Sequence, residues 1–265
     1  MNRLAKSGCW MAIAWIATLV LVASTADFLP LPRPLDLDLT KMLEGPNSAN
    51  LAGTDELGRD VLSRVVFAAR STLIITTGAT ALALFLGVIL GGTAGYLGGW
   101  PDRSVLLLTD LFWSIPFVIF VVLIVSVIGV SKASLILTIG GINWVSPARV
   151  VRAETSRLAN ADFVISARSH GYSESHVLGY EILPNLWKTV ITLAAYSAIE
   201  VMTLETGLAF LGLSMPAPAP TWGGMLAEGL SYFSSAWWIV IVTAAAITVT
   251  LGSLQLVARR FEGAS

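Results

Sequence analysis

Cysteine is almost absent: the chain of 265 residues has one, Cys9, which excludes an internal disulfide framework and cannot hold a metal cluster alone. Histidine is nearly as scarce, with only His170 and His176, so a metal-dependent hydrolase would lack its ligands. Charge is thin as well. Only 12% of residues are Asp, Glu, Lys or Arg, where a soluble domain carries roughly 25%. A net charge of −1 gives no footprint for nucleic acid. None of the four lysines (Lys6, Lys41, Lys132, Lys188) stands in a P-loop run, so the chain has no such cradle for ATP. Nucleophile elbows, zincin motifs and paired catalytic carboxylates are missing too, which argues against an intramembrane enzyme.

Apolar side chains are what the sequence has in excess. They make up 55% of it, and the mean hydropathy is +0.76. A soluble core of this size cannot hide that much apolar surface, so lipid must be the solvent for much of the chain. Runs of roughly 17–25 residues span a bilayer. About six such runs occur, near 9–26, 71–97, 105–128, 133–151, 186–211 and 237–257. The first follows Arg3 and Lys6 and ends in small residues, a pattern shared with a cleaved signal peptide. It exceeds the usual signal core of about 7–15 residues. The second is punctuated by Gly78, Gly87, Gly91, Gly92 and Gly95, which suits close helix packing in lipid. Pro116 lies inside the third, where neighbours must satisfy the freed backbone.

Between the first and second runs lies a long polar segment, residues 27–70, whose end at Asp60–Phe67 has helical spacing and is expected along the membrane surface. With the N-terminus inside, ten basic residues fall on the cytoplasmic side and six outside, mostly in that first loop. Both termini are therefore expected to be cytoplasmic. The segment from Arg152 to Asn185 is then a long cytoplasmic loop. Asp162–Arg168 has helical composition, Gly171 ends it, Ser173–Ile182 forms a second piece, and Pro184 starts a new element. Such a pair of short helices is either a knob for a partner or a solvated loop.

The residues of that loop carry a resemblance. Asp162-Phe163-Val164, Ala167-Arg168, Gly171-Tyr172-Ser173 and Ile182-Leu183-Pro184-Asn185 resemble the EAA loop of ABC importer permeases. Gly53-Thr54-Asp55, Gly58-Arg59-Asp60, Ser63 and Arg64 resemble the GTDxxGRDVxSR signature of the dipeptide/oligopeptide/nickel branch, C-type subunit. Ala69–Leu73, Gly95–Arg103 and the stretch from Glu205 to Gly223 match further motifs in order. Departures occur at Ile165-Ser166-Ala167, where the EAA glutamate is absent, and at His170 and Glu181.

The resemblance implies an all-α polytopic protein with the type I ABC importer permease fold, one half of a heterodimeric pore. Residues 1–70 would form an N-terminal transmembrane helix with an extracytoplasmic segment, and 71–265 a five-helix core. Asp162, Ser166, Ala167, Arg168, Gly171, Ser173, Leu183 and Pro184 would belong to the ATPase-coupling loop. Implied partners are a second, B-type permease, two ATP-binding subunits and an extracytoplasmic solute-binding protein. This chain would need no cofactor, because ATP-Mg would sit on the ATPases. The setting would be a bacterial cytoplasmic membrane. The cargo would be di- or oligopeptides or a similar small solute.

Two carboxylates lie in the fifth apolar run. Glu205 matches a family position near the outer mouth and is expected to be structural, or part of a gate. Glu200 is either a polar point along the substrate path or a hydrogen-bonded residue at a helix contact. The loop 216–223 reads as a stiff proline turn or an outer gate. The rival function class is an ion-coupled secondary transporter working through Glu200 or Asp110, which would run without ATPase partners.

Overall fold

The computed structural model describes residues 3–213, 215 and 218–262, with side chains from Gly8 onward. The side chains of Arg3 and Lys6, and Ser214, Pro216 and Ala217 of the proline loop, lie outside the described residues. Elements α1 (Arg3–Ser24) and α2 (Val61–Leu97) come first, joined by the polar segment. They are followed by α3 (Gly99–Ser114), α4 (Phe117–Ile128), α5 (Lys132–Ile142) and α6 (Val145–Ala159). Then come α7 (Asp162–Ser169), the single turn α8 (Glu174–His176), α9 (Trp187–Phe210), α10 (Trp222–Ser231) and α11 (Trp237–Glu262).

By length and composition α2 and α11 can each cross a membrane alone, as can α3–α4 and α5–α6 if each bent pair is one span. α1, apolar from Gly8 to Ser24, and α9 bring the helical units to about six. α1 packs along α11, where Trp15 Nε1 donates to Thr250 Oγ1 at 3.1 Å.

Three expectations change in detail. α2 starts at Val61 and runs unbroken across position 70, so Val61–Phe67 is not a separate surface helix. The Asp60 carboxylate starts it, accepting from Ser63 N at 2.7 Å. The charged Arg64 is tolerated inside it because Asp55 and Glu228 neutralise it. The third run is two helices meeting at 86°, since Pro116 lacks the N–H that would continue α3 and its predecessor Ile115 is extended (φ −104°, ψ 128°). The fourth is bent by 41° at Asn143–Trp144, and its helix continues through the polar Arg152–Ala159.

α2 and α6 touch backbone to backbone. A Cβ on Gly91 would lie 2.3 Å from Ala148 O, one on Gly95 2.3 Å from Arg152 O, and one on Gly87 2.6 Å from Pro147 Cβ. These glycines stand four residues apart, on one helix face, so a single stripe of missing side chains makes the contact. Asp102 of α3 pairs with Arg152 of α6, which fixes the turn after α2 to the same unit.

Candidate coupling surface and translocation site

At the α2 entry, the segment Gly53–Asp60 is a buried knot. Asp55 is fully buried; it accepts from Leu57 N at 2.9 Å and Arg59 N at 3.0 Å, and pairs with Arg59 Nε at 2.6 Å and Arg64 Nη1 at 2.5 Å. Arg64 reaches on to Glu228 of α10 at 2.9 Å, and Arg59 to Glu56 at 2.8 Å. Burial pushes the Glu56 carboxyl above its ordinary range, with Asp55 adding to the push. The Thr54 carbonyl accepts from Trp238 Nε1 at 3.1 Å, and its hydroxyl donates to Lys41 O. Asn50 holds the Asp60 carboxylate at 2.8 Å. Gly58 has φ +70°, and a Cβ there would lie 1.8 Å from Asp38 O. Gly53, at φ +72°, sits against Trp238. This signature therefore ties α2, α10 and α11 together.

At the other end of α2 lies the loop 162–185. α7 ends in a left-handed Gly171 (φ +82°), whose N–H donates to Arg168 O at 2.9 Å while Tyr172 N donates to Ala167 O at 3.4 Å. His170, a departure from the family pattern, turns its Nδ1 to Ser166 O at 2.8 Å. Ser173 starts α8 by accepting from His176 N. A π-helical turn, Val177–Ile182, and a 3-10 turn carrying Pro184, Leu183–Leu186, lead straight into α9.

Val164, Ala167, Val177, Ile182 and Leu186 are buried against Tyr96, Val151 and Leu158, which anchors the loop on α2 and α6. Tyr96 hydrogen-bonds the Glu174 carboxylate, and the Arg168 guanidinium lies 5.1 Å from the Tyr96 ring centre. The outer face stays uncovered: Asp162, Ser166, Arg168, Gly171, Ser173, Leu183 and Pro184 are exposed, while Ala167 is buried. Phe163, Ile165, Tyr172 and Tyr180 are exposed with them. Tyr172, His176 and Tyr180 stack in a ladder with ring centres 4.6 and 4.8 Å apart.

Glu200 and Glu205 do not come together: five residues apart, they face directions about 140° apart around α9. Glu205 is 1% exposed and packs against α10. Gly223 permits that approach, because a Cβ there would lie 2.9 Å from Thr206 Cα and 3.2 Å from Glu205 Oε2. Glu200 is exposed on a cavity of about 320 Å³ beside the breaks at Ile115–Pro116 and Asn143–Trp144. With its amide nitrogen facing the carboxylate, buried Asn143 donates to Glu200 Oε1 at 3.0 Å and Oε2 at 3.2 Å. Asp110 is not free, since Arg149 pairs with it and lies 4.1 Å over the Trp113 ring. Among the described residues no group of three His, Cys, Asp or Glu is placed to hold a metal.

The sequence reading missed Tyr96, Glu174, Asn143 and Glu228. Tyr96 belongs to a motif already noted, and Asn143 is a polar residue inside an apolar run, a signal that was available. Glu174 and Glu228 carry no local signal, because their partners lie 78 and 164 residues away.

Residues 61–263 match the family model described as "Binding-protein-dependent transport system inner membrane component". The chain is similar to the oligopeptide transport system permease protein OppC of Bacillus subtilis (strain 168), 28% identical over 93% of this chain and 82% of the relative. It is 30% identical to the dipeptide transport system permease protein DppC of Alkalihalophilus pseudofirmus, over 91% of this chain and 78% of the relative. A chain of the MetNI methionine ABC transporter, in an inward-facing conformation, has the same fold with a TM-score of 0.51. It is 17% identical and is covered to 96% by 75% of this chain.

Proposed function

Since this chain belongs to the family of binding-protein-dependent transport system inner membrane components, it is a multi-pass permease subunit and not itself an enzyme, and we propose that it imports di- or oligopeptides as half of an ATP-driven pore. The names of its relatives support the cargo. Its partners would be a second, related permease, two ATP-binding subunits that hold ATP-Mg, and an extracytoplasmic solute-binding protein. Both termini would face the cytoplasm. The core and coupling loop within residues 71–265 would move against the partner permease. Residues 1–70 would supply the outer helix and the extracytoplasmic segment.

The observation that carries this reading is the loop 162–185, anchored on one face and open on the other. One face is buried on α2 and α6; the other presents Phe163, Tyr172 and Tyr180 to whatever docks there. Exposed aromatic residues beside Arg168 are the composition of a protein interface. A push on this knob reaches α2 through Tyr96 and α6 through the continuous chain. The glycine stripe would make α2 and α6 move as one body, whose far end is the Asp55 knot. Rigid-body motion of that unit would switch access between the two sides. Glu200 would line the path, and Glu205, with the loop that follows it, would brace the outer gate.

The ion-coupled alternative finds less support, since Asp110 is held by Arg149 and Glu200 by Asn143. Reconstitution in liposomes with the partner subunits decides between them. Uptake of alanine peptides should need both ATP and the binding protein. Uptake without ATP that collapses with the proton gradient would overturn the proposal.

A further inference from the structure

We infer that the cavity at the paired helix breaks is a subsite for the free ammonium terminus of the cargo, held by Glu200 and aligned by Asn143. This rests on the peptide-importer reading above and adds to it the chemical group that the path recognises.

The cavity of about 320 Å³ is walled by Ile115 and Pro116 at one break, Asn143 and Val145 at the other, and Glu200 from α9. It holds a terminal residue of a peptide, at the small end of the ~300–1,000 Å³ typical of ligand sites. Glu200 is the one ionisable side chain among its described lining residues. Helix ends do not override that charge. α3 and α5 bring carboxyl ends to the breaks and α4 and α6 amino ends, so opposite partial charges meet in pairs. Arg149, which lies over the lining residue Trp113, is committed to Asp110 and leaves Glu200 uncompensated.

The donor count fits an ammonium group. A carboxylate offers about four lone-pair positions and Asn143 takes two, leaving acceptors for a group that brings three N–H donors. Phe112 and Phe117 add aromatic rings to the lining, which a cation favours over bare aliphatic wall. Asn143 is buried at the end of α5, so the carboxylate is held in place before cargo arrives.

The test is initial uptake of labelled alanine peptides of two to five residues by the complete importer in liposomes, with its own binding protein throughout. Glu200→Asp should keep most of the rate. Glu200→Gln should lower it about tenfold, the ratio between a charge-assisted and a neutral hydrogen bond, and Glu200→Lys should abolish it. ATP hydrolysis stimulated by the loaded binding protein should persist in the Gln variant, which shows that the complex is intact. Adding Ser146→Asp to Glu200→Gln returns a carboxylate to the same cavity and should restore part of the rate, an effect that a merely structural Glu200 would not produce. Gln transporting at the native rate, or Asp and Gln losing activity equally with no rescue, overturns the inference and leaves the importer reading intact. A native complex that takes up no alanine peptide with ATP overturns both.

Discussion

Tyr96, the penultimate residue of α2, hydrogen-bonds the carboxylate of Glu174 in the loop 162–185, so the end of a long apolar helix and that loop share one polar contact. The bond is partly shielded and backed by Arg168, which lies over the same ring and 3.4 Å from the same carboxylate. Tyr96→Phe removes the hydroxyl and should cost about 1 kcal/mol at this joint. Peptide uptake by the assembled transporter should fall several-fold while the ATPases still co-purify. Uptake unchanged in Tyr96→Phe and in Glu174→Gln would show that the contact transmits nothing.

Asp55 sits between two buried guanidinium groups. Asp55→Asn leaves the buried Arg59 and Arg64 with one carboxylate fewer, and removing one partner of a buried pair costs ~3–5 kcal/mol. Thermal unfolding of the purified chain should shift down by many degrees. Arg64→Lys should be milder, because the charge stays while the forked geometry to Asp55 and Glu228 is lost.

The glycine stripe predicts a graded steric series. Gly91→Ala drives a methyl group to 2.3 Å from the Ala148 carbonyl, so α2 and α6 must separate or the variant must lose stability, by about 1–3 kcal/mol. Gly141→Ala meets no atom within 4 Å and serves as the control. Equal stability of the two variants would contradict the close packing.

The raised Glu56 carboxyl gives a pH dependence of known sign. Its folded form binds a proton more tightly than the unfolded chain, near 4.5, so its contribution to stability is present below that value and fades as pH rises through the raised range. The difference in melting temperature between the native chain and Glu56→Gln should therefore favour the native chain most at acid pH. A difference that grows in its favour with rising pH would reverse the sign.

Much of this was legible in the sequence, and the misses have physical causes. Hydropathy located the apolar runs, because lipid exposure needs only composition. Gly171 and Pro184 punctuate the loop at the expected places, because backbone conformation there is set by the residue itself. Hydropathy starts α2 near residue 71, ten residues late, since Arg64 looks polar until Asp55 and Glu228 are seen around it. Pro116 was recognised as an interruption, but the 86° angle depends on what packs beside it. The partnership of Asn143 with Glu200 joins residues 57 positions apart, which no local pattern reveals.

On the proposed reading, ATPase subunits grip this permease at the loop 162–185. The chain's single cysteine makes that measurable: with Cys9→Ser as background, Tyr180→Cys puts one thiol on the exposed ladder. Cross-linking in membranes containing the whole transporter should join this chain to an ATP-binding subunit, while the same reagent at Phe28→Cys, exposed on the segment between α1 and α2, should not. If Tyr180→Cys joins no ATP-binding subunit, and the native chain purifies alone and still transports without one, the coupling account is wrong.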